Sequence, residues 1–132
     1  MCRRDSEKTV AALAEQRGER IAASGAMAAN ALGLTTQVPT RPVYLTSGRS
    51  RRLVLGKQEV ELRHAPNWQL ALGNAKPGQV IRALAWLGPE KSEAAAARLS
   101  TTLNSEERAE LARVVNRMPD WLAGTVSRIA NG

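Results

Sequence analysis

Hydrophobic and polar positions divide the chain into three stretches of different period. Near the start, Val10, Leu13 and Ala14 fall at i, i+3 and i+4 within Ser6 to Arg17, which predicts a helix closed by Gly18. Glu19 to Ala23 reads as a short strand around Ile21. Ser24 then caps a small helix, Gly25 to Leu32, whose Ala26, Ala28, Ala29 and Ala31 predict close packing on a sheet and whose end fits Gly33. Pro39 and Pro42 break helical periodicity and favour extended backbone before them. Val43-Tyr44-Leu45-Thr46 alternates, Ser47-Gly48 marks a turn, and Arg52-Leu53-Val54-Leu55 is a second strand. After a tight turn at Gly56-Lys57, Gln58 to His64 shows the clearest alternation. Val60, Leu62 and His64 point one way, and Glu59, Glu61 and Arg63 the other. Arg52 to His64 is therefore expected to form a β-hairpin, ended by Pro66, within a compact meander.

The remainder has helical period. Gly78 to Leu87 carries Val80, Ile81, Leu84 and Leu87, with Gly88 as closer, and Pro89 to Leu99 begins a second helix with Glu90 in its first turn. Ser105 to Arg117 starts at a capping Ser105 or Asn104 and bears the stripe Leu111, Val114, Val115 and Met118. Pro119 opens a last helix with Leu122, Val126 and Ile129 on one side. Trp121 at its start is expected in the core, with a surface anchor for a partner as the alternative. Helices, then strands, then helices make the fold class α+β: a small mixed or antiparallel sheet with a hairpin, flanked by helices, and a helical C-terminal half. The 132 residues are expected to form one domain. Its parts are an N-terminal helix and short strand (1–23), an α/β block with the hairpin (24–66) and a helical region (67–132).

Composition narrows the chemistry. Apolar residues make up 43% and charged ones 23%, as in a globular protein. No apolar run approaches the roughly 20 residues of a membrane span, and no signal-peptide core follows the basic start, so a cytoplasmic location with no membrane partner is expected. Cys2 is the lone cysteine and His64 the lone histidine, which excludes an internal disulfide and any site needing two imidazoles. Only Tyr44, Trp68, Trp86 and Trp121 are aromatic, too few for a platform that stacks single-stranded nucleic acid. No phosphate-cradling glycine loop and no nucleophile elbow occurs. Glu59 and Glu61 share a strand face that could present paired carboxylates, but beside Arg63 and Lys57 they read as a salt-bridged surface. His64 reads as a hydrogen-bonded structural residue rather than a general base, and Cys2 as a bystander in a tail. No catalytic residue, metal site or cofactor is expected, and the chain is not expected to be an enzyme.

Charge is the strongest chemical signal. Lys and Arg total 19 against 12 Asp and Glu, for a net charge of +7. Arg41, Arg49, Arg51, Arg52, Lys57 and Arg63 cluster between positions 41 and 63, opposed there by Glu59 and Glu61 alone, so more than half of the net charge belongs to one hairpin region. Turn-borne arginines reach outward and can contact phosphate or carboxylate. Two readings stand: a contact surface for an acidic protein or nucleic acid, or a solvated edge whose charges block strand pairing.

Within Ser24 to His64, an ordered string of residues resembles a known family. Ser24-Gly25, Ala28-Ala29-Asn30 and Leu32-Gly33-Leu34 precede Thr36-Gln37-Val38-Pro39. Val43-Tyr44-Leu45-Thr46, Gly48-Arg49-Ser50-Arg51 and Glu61-Leu62-Arg63-His64 follow. This string is similar to the C-terminal domain of AbiEi-like antitoxins of type IV abortive-infection toxin–antitoxin systems. The helical tail through Trp121 is also similar. The resemblance implies a small mixed sheet flanked by helices and a bacterial phage-defence role: neutralising a nucleotidyltransferase-like toxin encoded next door, by binding or counteracting it. It carries no catalytic residues over. Such antitoxins commonly bear an N-terminal winged helix that reads their own promoter. The 23 residues before Ser24 suffice for one helix only, so promoter reading by that route is not expected of this chain. The alternative function is a basic nucleic-acid-binding regulator of its own operon, with DNA or RNA held by the hairpin.

Overall fold

A computed structural model describes residues 10, 12–13, 15–37, 42–55, 57–73 and 75–131, with 55 and 58 described for backbone only. Cys2, Arg41 and Gly56 lie outside them. The first helix, α1, is helical at 10, 12–13 and 15–17 and is followed by Gly18 at φ 67°, the left-handed position foreseen for it. Strand β1 (Ile21–Ala23) leads into α2 (Gly25–Ala31). Ser24 caps α2, its Oγ accepting from the Met27 amide at 3.4 Å, and Gly33 at φ 77° follows its end. Then come β2 (Val43–Thr46), β3 (Arg51–Leu55), β4 (Gln58–His64) and a one-turn helix α3 (Asn67–Leu70). The rest is helical: α4 (Lys76–Ser100), α5 (Ser105–Val114), a 3-10 turn (Val115–Arg117) and α6 (Asp120–Asn131). The class is α+β, with a four-stranded mixed sheet and a helical C-terminal half.

The sheet is not a meander. Its order is β1-β2-β4-β3, with β4 parallel to β2 and antiparallel to β3. The chain leaves β2, crosses to the edge as β3, and returns through the gap as β4. The physical reason lies in β4. It is the longest strand, and its Val60 and Leu62 are fully buried, so two flanking strands cover it better than one. The hairpin itself forms as foreseen, with Leu53 opposite Val60 and Arg52 opposite Glu61.

The structure also moves the partner of the alanine-rich helix. Only Met27 of α2 reaches the sheet's cluster, which joins Val10, Met27, Tyr44, Val60 and Leu62. Ala28 and Ala29 pack with Ala83 of α4 instead. At Gly25 the approach is closest: a Cβ there would lie 2.5 Å from Trp86 Cβ and 2.7 Å from Arg82 O. Small residues were needed for a helix–helix contact, not a helix–sheet one.

The helical core gathers Ile81, Leu84, Leu99, Leu111, Leu122 and Val126. Element α4 is two helices joined at Gly88, whose φ of 85° and ψ of 172° reverse the chain before Pro89. Lys76 Nζ consequently donates to Thr102 O at 3.2 Å, although a straight helix would separate the two residues by about 39 Å. Arg108 fastens the far end of the helical layer, donating to Leu103 O at 3.3 Å, to Ile129 O at 2.7 Å and to Ser100 O. It thereby holds the carbonyl ends of α4 and α6, where a cation is favoured. Ser105 to Arg117 is helical only to Val114, then tightens to the 3-10 turn, and Asn104 with Glu107 forms a reciprocal capping box at 2.8 and 2.9 Å. Arg82, 1% exposed within α4, is the charged residue among the buried polar ones of the described residues, beside Ser24, Thr46, Ser92 and Thr125. Its NH1 donates to Gln69 O at 3.2 Å while Nε and NH2 have no partner, and burial pushes the guanidinium down to about 10. Trp121, expected in the core, is 37% exposed. Among the described residues no helix is long and apolar enough to cross a membrane.

Candidate partner-binding surface

The basic region occupies β3, β4 and the connection between β2 and β3. Alternation along β3 sends Arg52 and Val54 outward and Arg51 and Leu53 toward the core side; Val54 is 69% exposed. On β4, Glu59, Glu61 and Arg63 share the outward face. The register sets Arg52 beside Glu61, and Val54 beside Glu59. Arg63 Nε donates to Glu61 Oε2, leaving its side chain well exposed. The outer face is thus a checker of cations and carboxylates, not a continuous basic strip.

Arg51 does not belong to that face. Its NH2 donates to Glu19 Oε2 at 2.8 Å, its NH1 to Arg49 O at 2.9 Å, and the Arg51–Glu19 pair is mostly shielded from solvent. Thr46 Oγ1 donates to the same Glu19 oxygen at 3.0 Å and accepts from the Gly48 amide at 3.0 Å. The hydrogen bond from Arg51 holds the Glu19 carboxyl below its ordinary value, against the opposing effect of burial. Gly48 has no left-handed backbone to explain it. Its reason is crowding, since a Cβ there would sit 2.6 Å from the Glu19 carboxyl carbon. Ser50 ties this connection to β4. Its Oγ accepts from the His64 amide at 2.9 Å, and His64 Nδ1 lies 2.8 Å from Gly48 O. Glu19, Thr46, Gly48, Ser50, Arg51 and His64 therefore form one polar clasp. It fastens the crossover from β2 to β3 over the end of β4.

Of the six cations singled out from the sequence, Arg49, Arg52 and Lys57 are exposed, Arg63 is exposed but paired with Glu61, Arg51 is committed to the clasp, and Arg41 lies outside the described residues. The clasp itself carried no sequence signal: Glu19 was not singled out, and Thr46 and Ser50 stood only within a strand and the family string, because the bonds from Arg51 and Thr46 to Glu19 and from His64 to Ser50 span 14 to 32 positions. Glu59 and Glu61 lie on the outward face as read, and Glu61 is engaged by Arg63. Among the described residues, no group of three or more His, Cys, Asp or Glu could hold a metal ion.

A model for a family of unknown function, DUF6088, matches residues 3–111, so it takes in the whole sheet, the clasp and the hairpin. The chain belongs to that family. No curated protein and no solved structure matches it.

Proposed function

We propose that this protein is an antitoxin domain that works in the bacterial cytoplasm and neutralises a nucleotidyltransferase-like toxin by docking on it through the outer face of the hairpin. The observation that carries the docking surface is the set of exposed cations Arg49, Arg52, Lys57 and Arg63, carried by the β3–β4 hairpin and by the clasped connection that leads into it. The antitoxin role itself rests on the resemblance of Ser24 to His64 to AbiEi-like antitoxins. That string covers α2, β2, β3 and β4; α2 and β2 are tied by the Ser24 amide donating to Val43 O at 3.0 Å and by the Val43 amide donating to Met27 Sδ at 3.3 Å, and β2 pairs with β4.

A protein partner suits this face better than a nucleic acid does. A phosphate backbone presents an unbroken row of negative charge, and Glu59 and Glu61 interrupt the cations that would track it. A protein surface of mixed sign, dominated by acid, complements the same checker. Co-expression with the neighbouring toxin gene tests the proposal: growth is rescued by this chain, and lack of rescue overturns it. A gel shift on the upstream promoter tests the alternative of an operon regulator, which requires tighter binding there than to unrelated DNA.

A further inference from the structure

The reversal at Gly88 brings the two ends of α4 together around a cleft of about 410 Å³, closed on its other side by the end of α2. Lys76 and Gln79 enter it from the first turn of α4, and Arg98 and Thr102 from beyond the reversal. Leu32, Leu34 and Leu99 supply apolar wall. Among the described residues no carboxylate lines it. Each cation is anchored by one hydrogen bond to a main-chain carbonyl, Lys76 to Thr102 O at 3.2 Å and Arg98 to Gly33 O at 3.4 Å. Each keeps further donors, of the three on an ammonium and the five on a guanidinium. Moreover, α4 starts without a side-chain cap, so the positive end of its dipole borders the same space.

We propose that this cleft binds a phosphate monoester of mononucleotide size. Two cations without a counter-charge match a phosphate monoester, which carries about −1.5 to −2 near neutral pH, better than a single carboxylate. The guanidinium fork and the ammonium point charge are complementary ways of holding it. The three leucines hold the flat or apolar body of the ligand. The volume falls in the lower part of the range of about 300–1,000 Å³ found for small-molecule sites. The site shares no residue with the hairpin face, so it stands or falls apart from the antitoxin reading.

Amide NMR titration of the full chain with AMP, adenosine and ribose 5-phosphate tests the site. AMP is expected to shift the amides of Leu32, Leu34, Gln79, Leu99 and Thr102. Adenosine and ribose 5-phosphate should each bind at least about tenfold more weakly than AMP, because each lacks one half of the recognition. Lys76→Gln and Arg98→Gln should each weaken AMP at least about tenfold, with Arg52→Gln without effect. Equal AMP affinity in Lys76→Gln and Arg98→Gln overturns the proposal. So does either fragment binding as tightly as AMP, or AMP failing to bind at millimolar concentration. Should a variant lose its native spectrum, the wild-type map decides: shifts confined to the hairpin amides overturn the site.

Discussion

Replacing Arg82 by Met should make the protein more stable. Arg82 is 1% exposed, donates a single hydrogen bond to Gln69 O, and leaves Nε and NH2 without partners. Burial alone brings its guanidinium down to about 10. The unfolded chain, with an ordinary guanidinium, therefore binds the Arg82 proton more tightly than the folded chain does, and the difference corresponds to ~3 kcal/mol of destabilisation. That penalty is fully present below pH 10 and would be relieved only between pH 10 and the unfolded value. Methionine fills nearly the same volume with an unbranched apolar chain. It gives up the bond to Gln69 O, a loss of about 1 kcal/mol. The net expectation is a gain of about 2 kcal/mol, in the range measured when buried charges give way to apolar residues. Urea denaturation at pH 7 reads this directly, and for a domain of this size it corresponds to a rise in Tm of about 5–8 °C. The difference between variant and wild type should stay constant from pH 7 to pH 9. A destabilisation of more than about 1 kcal/mol would mean that the guanidinium is compensated in the folded chain, and the reasoning fails.

Two further substitutions probe the parts of the fold that position the hairpin. Gly25→Ala forces a methyl against Trp86 Cβ and the Arg82 carbonyl, and backbone cannot yield as a side chain can, so a loss of about 1–3 kcal/mol is expected by thermal denaturation. Glu19→Gln removes the acceptor charge of the clasp. The Glu19 carboxyl is held low in the folded state, so its contribution is present above the ordinary carboxylate range and fades as pH falls through its folded value. The stability gap between wild type and Glu19→Gln should therefore close on acidification below that range. A gap that persists unchanged to pH 2 would remove the charge from the clasp.

Short-range signals were the legible ones. The caps at Ser24 and Asn104, and the closing glycines Gly18, Gly33 and Gly88, act within four residues of themselves, and each stands where the pattern put it. The hairpin was equally plain, because alternation in Gln58 to His64 is a local property. Strand order was not. It depends on a crossover fixed by Arg51 and Glu19, 32 positions apart, and by Ser50 and His64, 14 apart. The early end of α5 has a local cause that the apolar stripe hid. Val114 and Val115 are adjacent β-branched residues, and Pro119 turns Met118 out of helical backbone. At the candidate surface, one residue of phase decided the outcome. Starting β3 at Arg51 rather than Arg52 makes it plain that Arg51 lies on the side of Leu53, facing the core layer, and so leaves the contact set. The cleft was invisible from sequence, since Lys76 and Arg98 meet only because Gly88 reverses the chain between them.

Arg49, Arg52, Lys57 and Arg63 are proposed to make the surface that holds the toxin. Isothermal titration against the proposed partner, a purified nucleotidyltransferase-like toxin, tests this, using wild type and a variant with all four residues changed to Glu, over a salt series. All four side chains are exposed, and because Glu at 52 and 63 would stand beside Glu61, circular dichroism of the variant checks that its fold is kept. The expected result is tight, salt-sensitive binding by wild type and a loss of at least about a hundredfold in the variant, largest at low salt where the charges are least screened. Equal affinity of the two proteins across the series would contradict the account.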